Sequence, residues 1–98
     1  MTLEGRVAIV TGSGGGLGRS HVRYLARKGA RVVVNDLSQA DADRVAVEIT
    51  DAGGTAMAIA GSVTDERAAA AMVARVVADW GRVDILVNNA GILRDKSF

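Results

Sequence analysis

The chain has no cysteine and no proline among its 98 residues. Without thiols, a disulfide framework, a thiolate metal site and a cysteine nucleophile are all excluded. Neither charge sign dominates, with 12 Lys and Arg against 11 Asp and Glu. The basic footprint of a nucleic-acid binder is therefore missing, and no block of like charges forms a tail. Long apolar runs are also lacking. The longest is the seven residues from Ala68 to Ala74, far short of a membrane span. The first residues, Met1-Thr2-Leu3-Glu4-Gly5-Arg6, do not follow the charged-then-apolar layout of a signal peptide, so the expected setting is the cytoplasm. Aromatics are limited to Tyr24, Trp80 and Phe98, and the single histidine, His21, has no neighbouring ligand set for a metal.

What remains is 49% hydrophobic, mostly small aliphatic side chains, with 12 glycines. This suits helices packed closely on a sheet. Four short apolar runs read as strands: Val7 to Val10, Arg31 to Val34, Ala56 to Ala60 and Val83 to Val87. Their lack of polar alternation fits strands buried on both faces of a parallel sheet. Helical periodicity fills the gaps. The first stretch, from about Gly16 to Lys28, puts Gly18, Val22, Leu25 and Gly29 on one face and Arg19, Arg23 and Arg27 on the other. The second, from about Ala40 to Ala52, gathers Val45, Ile49 and Ala52 and ends at Gly53-Gly54. The third opens near Thr64-Asp65-Glu66-Arg67, carries Ala69, Val73, Val76, Val77 and Trp80, and stops at Gly81. Alternating strands and helices predict a Rossmann-type, doubly wound α/β sheet in the order 3-2-1-4, as one domain over residues 1–98.

The segment Thr11-Gly12-Ser13-Gly14-Gly15-Gly16-Leu17-Gly18 follows the first strand directly and opens the first helix. In that context a glycine-rich turn is a dinucleotide-binding signal. It supplies a tight turn, room for a pyrophosphate to approach the backbone, and a helix N-terminus to receive it. The competing reading is a flexible loop. Asp36 ends the second strand, eighteen residues after Gly18. A carboxylate there accepts hydrogen bonds from ribose hydroxyls and repels a 2′-phosphate, which points to NAD rather than NADP. No basic residue stands at Gly14, Gly15 or Leu37 to reverse that preference.

The Gly12, Gly16 and Gly18 spacing after Thr11 resembles the short-chain dehydrogenase/reductase family in its classical form. So does Asn88-Asn89-Ala90-Gly91 after the fourth strand, with Asp84 near that strand's start. The resemblance covers essentially the whole chain. Within the family, Val34-Asn35-Asp36-Leu37 and the string from Gly91 to Phe98 look most like the (3R)-hydroxyacyl-CoA dehydrogenases. The resemblance implies a cofactor site at Gly12, Ser13, Gly16, Leu17, Gly18, Asp36, Ser62, Val63, Asn89, Ala90 and Gly91. Asn88 would tie neighbouring strands together. Many family members carry Asp-Val where this chain has Ser62-Val63, a departure at the adenine contact.

The family's catalytic Tyr, Lys, Ser and Asn lie beyond the fourth strand, so none is expected here. Tyr24 and Lys28 match the Tyr-x-x-x-Lys spacing but lie on the first helix, where the family places no chemistry. Arg94, Asp95 and Lys96 read as a solvated loop that could border a substrate cleft. The expectation is the cofactor-binding portion of a longer, homo-oligomeric enzyme acting on a small-molecule substrate. It would move hydride between NAD and a secondary alcohol or ketone, with 3-hydroxyacyl-CoA favoured and a hydroxysteroid or other alcohol the alternative. A non-catalytic dinucleotide-binding module competes with that reading, as does a fold that binds nothing. Taken alone, these residues are expected to be poorly stable, because the Val83 to Val87 strand would leave an open apolar edge.

Overall fold

A computed structural model describes residues 2–89. Four parallel strands lie in the order β3-β2-β1-β4, with β1 Val7–Thr11, β2 Arg31–Asp36, β3 Thr55–Ala60 and β4 Ile85–Asn88. Three helices make the crossovers: α1 Gly16–Arg27, α2 Gln39–Asp51 and α3 Glu66–Trp80. The architecture matches the sequence expectation.

Side-chain alternation along the two inner strands divides the core into two layers. Ala8 and Val10 of β1 join Val32 and Val34 of β2 under α1 and α2, where Val22, Ala42, Val45 and Ile49 complete the cluster. Val7, Ile9 and Val33 point to the opposite face and meet Met72 and Val76 of α3. Trp80 packs partly buried against this second cluster, with the Arg31 guanidinium 5.5 Å above its ring. All five residues of β1 are buried. It is the axis of the sheet, and its C-terminal end is the place where the chain reverses its winding direction. Ligands of open α/β sheets bind at that point.

Several boundaries differ from the sequence reading. Val83 and Asp84 precede β4 rather than forming its first residues. Asp84 N donates to Val7 O at 2.8 Å, but the return bond from Val7 N goes to the Asp84 carboxylate, also at 2.8 Å, rather than to a backbone carbonyl. On α2, Ala42 is buried while Ala52 is exposed as the C-cap. On α3, Met72 is buried and Val77 is 44% exposed. Two side-chain caps fix the helix starts: Ser38 accepts from Asp41 N, and Asp65 accepts from Ala68 N at 2.7 Å.

Asp84 also accepts a forked pair of hydrogen bonds from Arg82, at 2.7 to 3.1 Å, and lies 3.7 Å from Arg6. The Arg82 guanidinium first, and the Val7 N–H second, hold its carboxyl below the ordinary aspartate value of 3.8. A carboxyl depressed by folding adds stability above its unfolded value and loses it as pH falls through the folded one. Asp84→Asn is therefore expected to flatten the acid limb of the urea-unfolding midpoint. The wild-type midpoint should drop more steeply below pH 3.8 than that of the variant, and superimposable limbs would contradict this.

Candidate dinucleotide site at the end of the sheet

Thr11, Asp36, Ala60 and Asn88 end their strands at one edge of the sheet, in register through the β1–β4 and β2–β3 pairs. The glycine turn leaves β1 there. Gly12 and Gly16 adopt φ of +64° and +56°, the left-handed region that favours glycine. Gly18 is needed for space instead. A Cβ on it would run into the Gly12 carbonyl oxygen and lie 2.6 Å from Asn89 Nδ2. The start of α1 is thereby drawn onto the end of β1.

The turn is clipped to β2 from inside. Ser13 is fully buried. Its hydroxyl donates to Val10 O at 2.7 Å and accepts from Asn35 N at 3.1 Å, while its own N–H donates to Asn35 O at 2.8 Å. Ser13 was expected to touch the cofactor, but both of its polar groups are committed internally, so it shapes the turn. Asn35, 2% exposed, sends its amide to Ile59 O and Gly61 O at 2.9 and 3.2 Å. One buried network thus joins the turn, β2 and the end of β3.

Asp36 is held at the rim by the backbone. Gly14 N donates to its Oδ2 at 2.9 Å, and Ser38 N reaches Oδ1 at 3.3 Å. A Cβ on Gly14 would lie 2.8 Å from this carboxylate, so Gly14 belongs to the site although its motif position did not single it out. Asp36, Gly12, Asn35, Leu37, Gly61, Ser62, Val63 and Thr64 enclose an open pocket of about 320 Å³. Among the described residues of that lining, Asp36 is the one ionisable side chain. Leu37 stands 76% exposed and Val63 half-buried on its walls, and Leu17, 68% exposed, follows Gly16 at the start of α1.

The start of α1 is unlike the other two. Its N-cap is Gly15, which makes no side-chain capping bond, and its first turn holds no acidic residue. By contrast, α2 and α3 carry a side-chain cap and an acidic residue each. The partial positive charge at the α1 N-terminus is thus not offset by a side chain of its own first turn. Arg19, in the first turn of α1, is turned away to α2, where it makes a forked pair with Glu48 at 2.8 and 3.1 Å. Arg19 correspondingly depresses the Glu48 carboxyl, while Arg23 lies 4.0 Å away. The sequence reading set the arginine stripe opposite the core face of α1. In the structure Arg19 and Arg23 staple α1 to α2.

Asn88 takes a hydrogen bond from Thr11 Oγ1 at 3.1 Å and joins β1 to β4 as expected. Asn89 places a buried Nδ2 beside Gly18, without a partner among the described residues. His21 Nδ1, on α1, is in the same condition. Tyr24 is 51% exposed with Lys28 Nζ 5.4 Å over its ring, a stacked pair facing solvent. Ala90, Gly91, Arg94, Asp95 and Lys96 lie outside the described residues. No group of three or more potential metal ligands occurs among the described residues, and no helix there is long and apolar enough to cross a membrane.

This turn, acidic rim and parallel sheet define a dinucleotide-binding α/β class. The family model for short chain dehydrogenases matches residues 6–98, and the chain belongs to that family. It is 52% identical over 103 aligned residues to the peroxisomal multifunctional enzyme type 2 of Drosophila melanogaster, covering 96% of this chain and 17% of the fly protein. It is 48% identical to the hydroxyacyl-CoA dehydrogenase ChsB1 of Mycobacterium tuberculosis, covering 96% of this chain and 31% of that protein. Among solved structures, a 7α-hydroxysteroid dehydrogenase in complex with NADH and 7-oxo glycochenodeoxycholic acid superposes with a TM-score of 0.84 at 39% identity. That match covers 89% of this chain and 34% of the other. The chain therefore spans well under two thirds of these relatives' length.

Proposed function

We propose that this chain is the cofactor-binding portion of an NAD-dependent dehydrogenase acting on a secondary alcohol or its ketone, with 3-hydroxyacyl-CoA as the favoured substrate. The observation that carries the cofactor reading is the Asp36 carboxylate, fixed at the pocket rim by two backbone N–H groups. Each carboxylate oxygen keeps acceptor capacity beyond the one bond it receives. That capacity suits the two hydroxyls of an unmodified ribose and opposes a 2′-phosphate. The residues fit the group by shape as well: Gly18 removes the Cβ that would push the turn outward, and the α1 N-terminus carries no acidic side chain against the pyrophosphate. Asn89, with Ala90 and Gly91, would border the same cleft. When bound, the nicotinamide takes up or releases the hydride. The residues of this chain hold the adenosine end, orient the pyrophosphate and bring the cofactor to the strand ends. The substrate preference is supported by the names of the hydroxyacyl-CoA and multifunctional relatives, and the hydroxysteroid alternative by the structural neighbour.

Asp36→Ala tests the cofactor reading. Losing charge-assisted hydrogen bonds of the usual strength should weaken NADH binding by about 10- to 100-fold. NADPH binding should hold or improve, so that the preference for NADH collapses. An unchanged ratio of the two dissociation constants would remove Asp36 from cofactor selection. Appearance of NADH with 3-hydroxyacyl-CoA and NAD, in the protein that carries this chain, tests the substrate.

A further inference from the structure

Three arginines act on one carboxylate between the first two helices. Glu48 of α2 accepts the Arg19 fork at 2.8 and 3.1 Å, Arg23 stands 4.0 Å from it, and Arg44 contributes through its field. Arg44 is paired separately, with Asp41 at 2.9 Å. Among the described residues, Glu48 is the carboxylate that holds Arg19.

Arg19 begins close to the glycine turn. It is in the first turn of α1, and its N–H donates to Gly15 O at 3.1 Å. Gly14, one residue nearer β1, is the residue whose N–H reaches the Asp36 carboxylate. The Arg19 side chain leaves α1 toward α2, which opens at Gln39, just after Asp36 and Ser38. It therefore emerges on the Asp36 side of the turn. Helix side chains lean toward the N-terminus, and Arg19 lies only about 4.5 Å of helix rise below Gly16. A free guanidinium at this position reaches back over the turn. Glu48 draws it the other way. Both helices start at the same edge of the sheet, and Glu48 stands near the far end of α2.

We propose that Glu48 is a positioning residue for cofactor choice: by holding Arg19 it denies a cation to the 2′-phosphate of NADPH. Asp36 opposes that phosphate directly, and Glu48 opposes it by keeping the countercharge away. The proposal rests on the dinucleotide reading above. It goes beyond that reading by placing part of the choice on a second helix, outside the pocket lining.

The test is fluorescence titration of NADH and NADPH into the protein that carries this chain, as wild type, as Glu48→Ala, and as Glu48→Ala combined with Arg19→Gln. Both side chains are partly exposed and alanine favours a helix, so the variants keep the fold. Glu48→Ala should tighten NADPH relative to NADH by about three- to tenfold at low ionic strength, because the freed cation acts on the extra phosphate. The gain should vanish near 1 M salt, where charges are screened beyond about 3 Å, and it should vanish in the double variant. Glu48→Gln still accepts one bond from Arg19 and should shift the ratio less, in the same direction. A ratio that Glu48→Ala leaves unchanged overturns the proposal, as does a gain that survives Arg19→Gln. Equal weakening of both cofactors also overturns it, since the pair would then only brace the helices. Failure of the wild type to bind NADH overturns the dinucleotide reading itself, whereas an unchanged ratio with NADH binding intact leaves that reading standing.

Discussion

Gly18→Ala is expected to destabilise the protein by about 2 kcal/mol, although the same change inside an ordinary helix stabilises by about 1 kcal/mol. The sign reverses because of what the new methyl group meets. It would overlap the Gly12 carbonyl oxygen and crowd Asn89 Nδ2 at 2.6 Å. The first of these is backbone at the end of a fully buried strand, so it cannot swing aside as a long side chain would. Relief requires α1 to lift away from β1, and lifting α1 carries its N-terminus away from the position proposed to receive the pyrophosphate. NADH affinity should therefore fall with stability, by at least about tenfold, since displacements near 1 Å in a positioned site cost that much or more. Gly15→Ala provides the contrast. Its φ of −178° is open to any residue, and a Cβ there meets nothing within 4 Å. Its unfolding free energy should fall by no more than about 1 kcal/mol, the ordinary cost of alanine at an N-cap position. Denaturant unfolding of both variants, with and without NADH, checks the pair. Equal stability of the two would show that close approach at Gly18 is not what shapes the turn.

The fold was legible because its signals are local and redundant. Continuous apolar runs marked the inner strands, and glycines marked the turns between them. The geometry of the candidate site was legible where one residue type answers one backbone need, as in the positive φ of Gly12 and Gly16 and the close approach at Gly18. It was opaque where the answer depends on a partner distant in sequence. Ser13 could not be told from a cofactor ligand until Asn35, 22 positions on, was seen to take its hydroxyl and N–H. Gly14 was read only as a place without a basic side chain, and its N–H bond to the Asp36 carboxylate, 22 positions on, could not be foreseen. The arginines of α1 could be read only as the face opposite the core, because Glu48, 29 residues from Arg19, belongs to another helix. Even periodicity has this limit. Val77 lies about 100° round from Val76, at the edge of the apolar stripe, whereas Met72 lies about 40° away on the other side. Which edge a sheet covers is decided by the crossover that sets the helix down, and α3 was set down on the Met72 side.

Asn35→Ala should have an effect of comparable size by the opposite route, by taking away a group rather than adding one. Asn35 is 2% exposed, and its amide is the donor to two backbone carbonyls, Ile59 O and Gly61 O. Without it both acceptors lose a buried partner and a small void opens beside them, for a loss of about 2 to 3 kcal/mol. The lost bonds also hold the far wall of the pocket. Gly61, Ser62, Val63 and Thr64 follow β3, and Asn35 is the side chain that ties Gly61 back to β2. NADH binding should weaken along with stability. Asn35→Asp separates this donor role from simple filling of space. It keeps the volume, removes both N–H donors and turns a carboxylate toward the same two carbonyl oxygens. At neutral pH it should unfold at lower denaturant than Asn35→Ala, because an unpaired buried charge costs more than a void. The gap should narrow on acidification, as protonation restores one donor and removes the charge. If Asn35→Asp matches the wild type at neutral pH, the amide is not the donor that fastens the pocket wall to the sheet.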